Sequence, residues 1–151
     1  MTESANDTLR YPYERTQRYH LQHIHLFAQD LDASIAFYQR WFDAQVMWDG
    51  DYGGARNVFV KVGIGALHFY EQAPRDLGRN AFHHLGMQVV GLPDLYARMQ
   101  AAGLHLPNPI RESGGGGYFM VQAPDQVLIE CFEPGPGRDP KVLAYYGYGQ
   151  Q

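Results

Sequence analysis

Four polar residues interrupt strand-like apolar runs in this chain. They are His23 in LQHIHLFA, His68 in GALHFYE, His84 in FHHLGMQVV and Glu130 in VLIECFE. Imidazole nitrogens with a carboxylate oxygen form a donor set that suits Fe, Mn, Ni, Co or Zn. Such groups are costly to bury together unless a cation compensates them. A single histidine in a strand is more often a satisfied core or surface residue than a ligand, so the case rests on position. His84 follows His23 by 61 residues, Leu92 follows Leu31 by 61, and Glu130 follows His68 by 62. One divalent metal held by His23, His68, His84 and Glu130 is therefore expected. His25 shares the face of His23 by two-residue alternation and is a rival ligand. His83 is expected on the face opposite His84, Glu71 lies off-phase with His68, and His20 and His105 fall near element ends.

The elements that must carry these residues repeat once. Residues 21–28 read as a strand, Asp30 or Asp32 caps a helix running to about Phe42, and strands follow at 44–48, 58–62 and 66–71. The turn-rich DGDYGG joins two of them. After the polar linker APRDLGRN, FHHLGMQVV reads as a strand. Pro93 suits the first turn of a second helix and Gly103 its C-terminal cap. Residues 104–110 are extended and broken by proline, Gly114–Gly117 form a glycine loop, and 118–121 and 127–132 are the last strands. The glycine loop fits a lid over the cleft and a plain connection equally well.

The expected class is α+β: two βαβββ modules related by a pseudo-twofold, with a mixed sheet curved around a metal-binding cleft. The divisions are an N-terminal arm (1–20), a first module (21–74), a second module (81–134) and a C-terminal tail (135–151). The tyrosines at 11, 13, 19, 145, 146 and 148 fall in the arm and the tail and are expected to pack on the outside of the domain or on a partner.

Composition narrows the function. A single cysteine, Cys131, excludes an intrachain disulfide and a cysteine zinc cluster. A formal charge of −4 argues against a nucleic-acid footprint. No run approaches the ~20 apolar residues of a membrane span, and the N-terminus has no apolar core of a secretion signal. A cytoplasmic protein with a small-molecule substrate, and neither nucleic acid nor membrane as partner, is the expectation.

At these residues the sequence resembles the vicinal oxygen chelate superfamily, which includes glyoxalase I, fosfomycin-resistance proteins, methylmalonyl-CoA epimerase, extradiol dioxygenases and bleomycin-resistance proteins. HIHLFAQDLDASIAFY is similar to the opening strand and helix, with His23 seven residues before Asp30. GALHFYEQAP places His68, and HHLGMQVV places His84, at ligand positions. APDQVLIECFEP is similar to the closing DPxGxxIEL segment, with Glu130 as its glutamate and Gln126 in place of the glycine. The resemblance covers about residues 21–134.

The resemblance implies a metal-dependent lyase, isomerase or ring-cleaving dioxygenase that chelates a small oxygen-bearing substrate and stabilises an enolate or catecholate. His23, His84 and Glu130 match a facial two-histidine, one-carboxylate set, with His68 as a fourth ligand or an acid/base beside it. His68 stands where glyoxalase I commonly has glutamate, which leaves Glu130 as the carboxylate base. Met120 aligns with the extradiol tyrosine, and Tyr118, on the same face, is the candidate substitute. The family also implies a homodimer. The alternative is a binding protein of the same fold that sequesters a small molecule or antibiotic. Metal content separates that class from an enzyme.

Overall fold

Alternation along the first strand, β1 (His23–Ala28), turns Ile24, Leu26 and Ala28 toward the core and leaves His23, His25 and Phe27 on the open face. The computed structural model that shows this describes residues 22–77 and 82–148. The expected N-terminal arm, with Tyr11, Tyr13, Tyr19 and His20, lies outside them.

Helix α1 (Leu31–Phe42) begins where the Asp30 carboxylate accepts a hydrogen bond from the Ala33 amide at 2.9 Å. Leu31, Ser34, Ile35, Tyr38 and Phe42 recur at helical spacing and are buried. They pack on the inner side of a sheet formed by β2 (Gln45–Tyr52), β3 (Ala55–Val62) and β4 (Gly65–Glu71), in the order β1-β4-β3-β2. β1 and β4 run parallel, as a crossover through α1 requires, and the other pairs are antiparallel.

The second module repeats this plan with β5 (Leu85–Gln88), α2 (Leu92–Ala101), β6 (Arg111–Ser113), β7 (Gly116–Gln122) and β8 (Leu128–Glu133), in the order β5-β8-β7-β6. β5 and β8 are the parallel pair. The Glu133 carboxylate accepts from the Gly91 and Leu92 amides, and so caps α2 from a neighbouring strand. Gly103, with φ +76, follows the helix end as expected. The fold is thus α+β, with two βαβββ modules. Among the described residues, no helix is long and apolar enough to cross a membrane.

Several boundaries differ from those read in the sequence. The DGDYGG segment is mostly strand: the chain reverses only at Gly53 and Gly54, whose φ values of +68 and +86 suit a two-residue hairpin. Arg56 reinforces that hairpin with two bonds to Asp49 at 2.9 and 2.8 Å, and it reaches Asp32 on α1 at 2.9 Å. β5 is short and starts one residue after His84. The tail contains a third helix, α3 (Pro140–Tyr145), with Asp139 capping Lys141.

The glycine loop is a packed joint rather than a lid. Gly114 and Gly115 make the β6–β7 turn, while Gly116 and Gly117 belong to β7. A Cβ on Gly116 would collide with the Glu133 carbonyl, and one on Gly135 with the Gly116 amide. The glycines let two backbones touch, and the Gly137 amide bonds the Gly114 carbonyl at 2.8 Å. Gln126 takes a left-handed φ of +58, which accounts for a glycine at that position in the closing segment it resembles.

Candidate metal centre

Each module builds half of a polar cluster by the same rule. On β4, Leu67 and Phe69 are buried beneath α1, so His68 and Tyr70 face outward. On β8, Ile129 and Cys131 are buried, so Glu130 and Phe132 face outward. On β7, Phe119 and Val121 are buried, which leaves Tyr118 and Met120 on the face of Glu130.

His25 stands directly beside His68 in the strand register, and His23 lies two residues before it. The ligating atoms of His23, His25 and His68 lie within 4.8 Å of one another. The His23 and His68 rings stack at 3.7 Å, and Phe59 stacks on the other face of His68 at 3.7 Å. Trp48 lies next, 4.8 Å from Phe59, so a row of rings crosses the sheet from β2 to β1.

This packing sets the charge state. Burial, followed by the neighbouring His23 and His25, pushes His68 down from 6.5 to about 4. His25 is lowered by burial and by His23, while the Asn57 side chain acts in the opposite direction. Asn57 is buried and donates from Nδ2 to the Tyr52 and Ala55 carbonyls. Its Oδ1 has no hydrogen bond of good geometry. His68 is thus a neutral imidazole at physiological pH, the form that ligates a metal.

A prediction follows for the metal-free protein. The depressed His68 pKa favours the fold fully above the unfolded value of 6.5, and that contribution is lost as pH falls from 6.5 toward 4. The His68 ring signals in an NMR titration should move with a midpoint near 4. A midpoint at 6.5 would mean that the stacked arrangement is absent in solution.

The second half-site is smaller. His84 Nε2 lies 3.8 Å from Glu130 Oε2. Contrary to the sequence reading, His83 is not isolated from His84: the two Nδ1 atoms meet at 2.7 Å. Because His84 precedes β5, strict alternation does not separate the two rings. Tyr118 shares a cavity of about 90 Å³ with Glu130, Phe132, Arg138 and Tyr146. His25 and His83 instead line a crevice of about 480 Å³ between β1 and the second module.

Within one chain, His23, His25 and His68 form a group of three donors, and His84 with Glu130 form a pair. Among the described residues the two do not combine into a single group. The donor chemistry fits a divalent transition metal in both halves, by neutral nitrogens in one and a nitrogen with a carboxylate in the other. Sequence reading did not anticipate the stacked aromatic row or the helix α3 over the second half-site. Only the aromatic content of the tail signalled the latter.

A family model described as Glyoxalase/Bleomycin resistance protein/Dioxygenase superfamily matches residues 20–131. The chain belongs to this superfamily. No curated protein sequence matches it. Among solved structures it is similar to the fosfomycin resistance protein FosX from Listeria monocytogenes, with 21 % identity and a TM-score of 0.66 over 80 % of this chain and 97 % of that one. A glyoxylase/bleomycin resistance protein/dioxygenase domain from Frankia sp. EAN1pec gives 21 % and 0.66 over 81 % and 96 %. FosX from Mesorhizobium loti gives 17 % and 0.64 over 85 % and 99 %. At these identities the likeness is one of fold. This superfamily member thus carries the vicinal oxygen chelate architecture; His23, His68 and Glu130 stand on the open faces of its two sheets, and His84, just before β5, lies 3.8 Å from Glu130.

Proposed function

We propose that the protein is a metal-dependent enzyme that chelates a small oxygen-bearing substrate on one divalent ion, with His23, His68, His84 and Glu130 as its ligands and His25 as the competing nitrogen. The observation that carries this reading is the pair of half-sites at repeat-related positions, His23 with His68 and His84 with Glu130. When bound, such an ion polarises two substrate oxygens as a Lewis acid. The protein's own part is to hold neutral His68 between Phe59 and His23, to offer Glu130 as a proton acceptor, and to place the Tyr118 phenol in the same cavity as Glu130. A FosX structure from L. monocytogenes holds Mn(II) and 1S,2S-dihydroxypropylphosphonic acid, a molecule with adjacent oxygens, which supports a small chelating substrate here. Lyase, isomerase and dioxygenase chemistry all fit this arrangement. The thiol of Cys131 is fully buried and pushed up to about 12, so it takes no part.

The half-sites join if the first sheet of one copy faces the second sheet of another, which makes the working unit a homodimer. Its support is the exposed apolar surface beside the histidines, where Phe27 and Trp48 are 51 % and 41 % exposed. Mixing tests this. His23→Ala and Glu130→Ala chains each lack one half, but half of the dimers in an equal mixture are mixed, and each carries one intact site. The refolded mixture should recover about a quarter of the wild-type metal. No recovery above the separate variants, or a monomer in sedimentation at micromolar concentration, would contradict the shared site.

A second reading, sequestration of a small molecule, draws on the same aromatic row. Protein that stays metal-free in the presence of stoichiometric Mn, Co, Ni, Zn and Fe(II) would favour it.

A further inference from the structure

A cavity of about 490 Å³ lies beside His84 and Glu130, walled by Phe132, Tyr145 and Tyr146, with Gln88 at its edge. Two of those rings come from the C-terminal segment. Tyr146 packs on Phe132 at 4.9 Å, and Tyr145 on Tyr146 at 5.1 Å. Two hydrogen bonds tie the segment to the body, and a third caps its own helix. Gln88 Nε2 donates to the Tyr146 carbonyl at 3.0 Å, Asp139 caps α3, and the Gly137 amide is tied to Gly114. Gly86 lies opposite Glu130 in the strand register and puts no side chain over the carboxylate. Among the described residues, no lysine or arginine lines this cavity; Arg138 lines the adjoining one. A phosphonate or other compact anion calls for cationic side chains at the site that holds it. A planar ring calls for flat apolar walls.

We propose that α3 and the tyrosines at its end form a specificity wall, and that the ligand of this site carries its chelating oxygens on an aromatic ring rather than on a small anionic frame. The proposal rests on the metal-dependent reading above. Within one chain Tyr145 is 82 % exposed, so its ring is not committed to the core. Tyr146 already lies against Phe132 and completes an aromatic corner, with His84 and Glu130 on the polar side. A ring seated there would stack on the wall while its oxygens point toward the two ligands.

Two hydroxamates test this, since they share one bidentate oxygen pair and differ in carrying a phenyl or a methyl group. Calorimetry on the Co(II)-loaded full chain should find benzohydroxamate bound at least about tenfold more tightly than acetohydroxamate. Tyr146→Ala should remove most of that difference while metal content and acetohydroxamate affinity stay within about twofold. Tyr145→Ala alters an exposed side chain that the fold does not need, and it should also narrow the ratio. Equal affinities in the wild type would overturn the proposal, as would a ring preference that survives both substitutions. A chain that holds Co(II) but prefers neither hydroxamate fails this inference alone. A chain that holds no Co(II), or binds neither compound when loaded, fails the metal reading and this one with it.

Discussion

Replacing His84 or Glu130 with alanine should leave a folded protein that no longer holds a stoichiometric metal ion. Both side chains sit at the open face of the second sheet, 3.8 Å apart, and neither contributes to the buried core. Glu130 is the one anionic ligand of the proposed set. Without it three neutral imidazoles face a divalent ion, and the charge that offsets desolvation of the ion is gone. Loss of a hydrogen-bonding partner behind a ligand already costs about 10–100-fold in metal affinity, so loss of the ligand should cost at least about 100-fold. The check is elemental analysis of protein purified without a histidine tag, with circular dichroism to confirm the fold. The group of His23, His25 and His68 can retain a weaker ion at excess metal. A full equivalent in both variants at limiting metal would remove the second sheet from the site.

Phe69→Ala should destabilise the metal-free protein by about 3–5 kcal/mol, a large part of the 5–15 kcal/mol typical of a domain. Phe69 is 2 % exposed and lies 5.2 Å from the buried Tyr38 ring of α1. It follows His68 directly, so the side chain that anchors β4 to the helix also fixes the backbone that presents the ligand. Truncation leaves a cavity between sheet and helix that the surrounding rings cannot refill without leaving their rotamers. Urea denaturation measures the loss. Ile64→Ala, at a fully exposed turn position of the same sheet, is the matched control and should stay within about 0.5 kcal/mol of the wild type. A change in Phe69→Ala no larger than the control's would show that α1 and β4 do not share a close-packed core.

The division between sequence and tertiary structure follows from the range of the forces involved. Alternation is local, so the LHFYE and LIECFE runs by themselves place His68 and Glu130 opposite the residues that enter the core. Repeat spacing is also local to each module, and it pairs His23 with His84 and His68 with Glu130 across the two halves. The order of elements and the α+β class came from the same patterns. Strand ends were less legible. The Gly53–Gly54 hairpin lengthens β2 and β3, because paired backbones extend until a positive φ allows reversal. What only the tertiary structure decided lies between elements distant in sequence. It stacks Phe59 and His23 on His68 and so keeps that imidazole neutral. It packs Gly116 against Gly135, making a joint of a run that the sequence left open between a lid and a plain connection. It lays tyrosines of the tail over Glu130's face and, among the described residues, leaves His84 and Glu130 outside the group of His23, His25 and His68. Those outcomes depend on which surfaces meet, and side-chain periodicity within a strand carries no information about the surface that it will face.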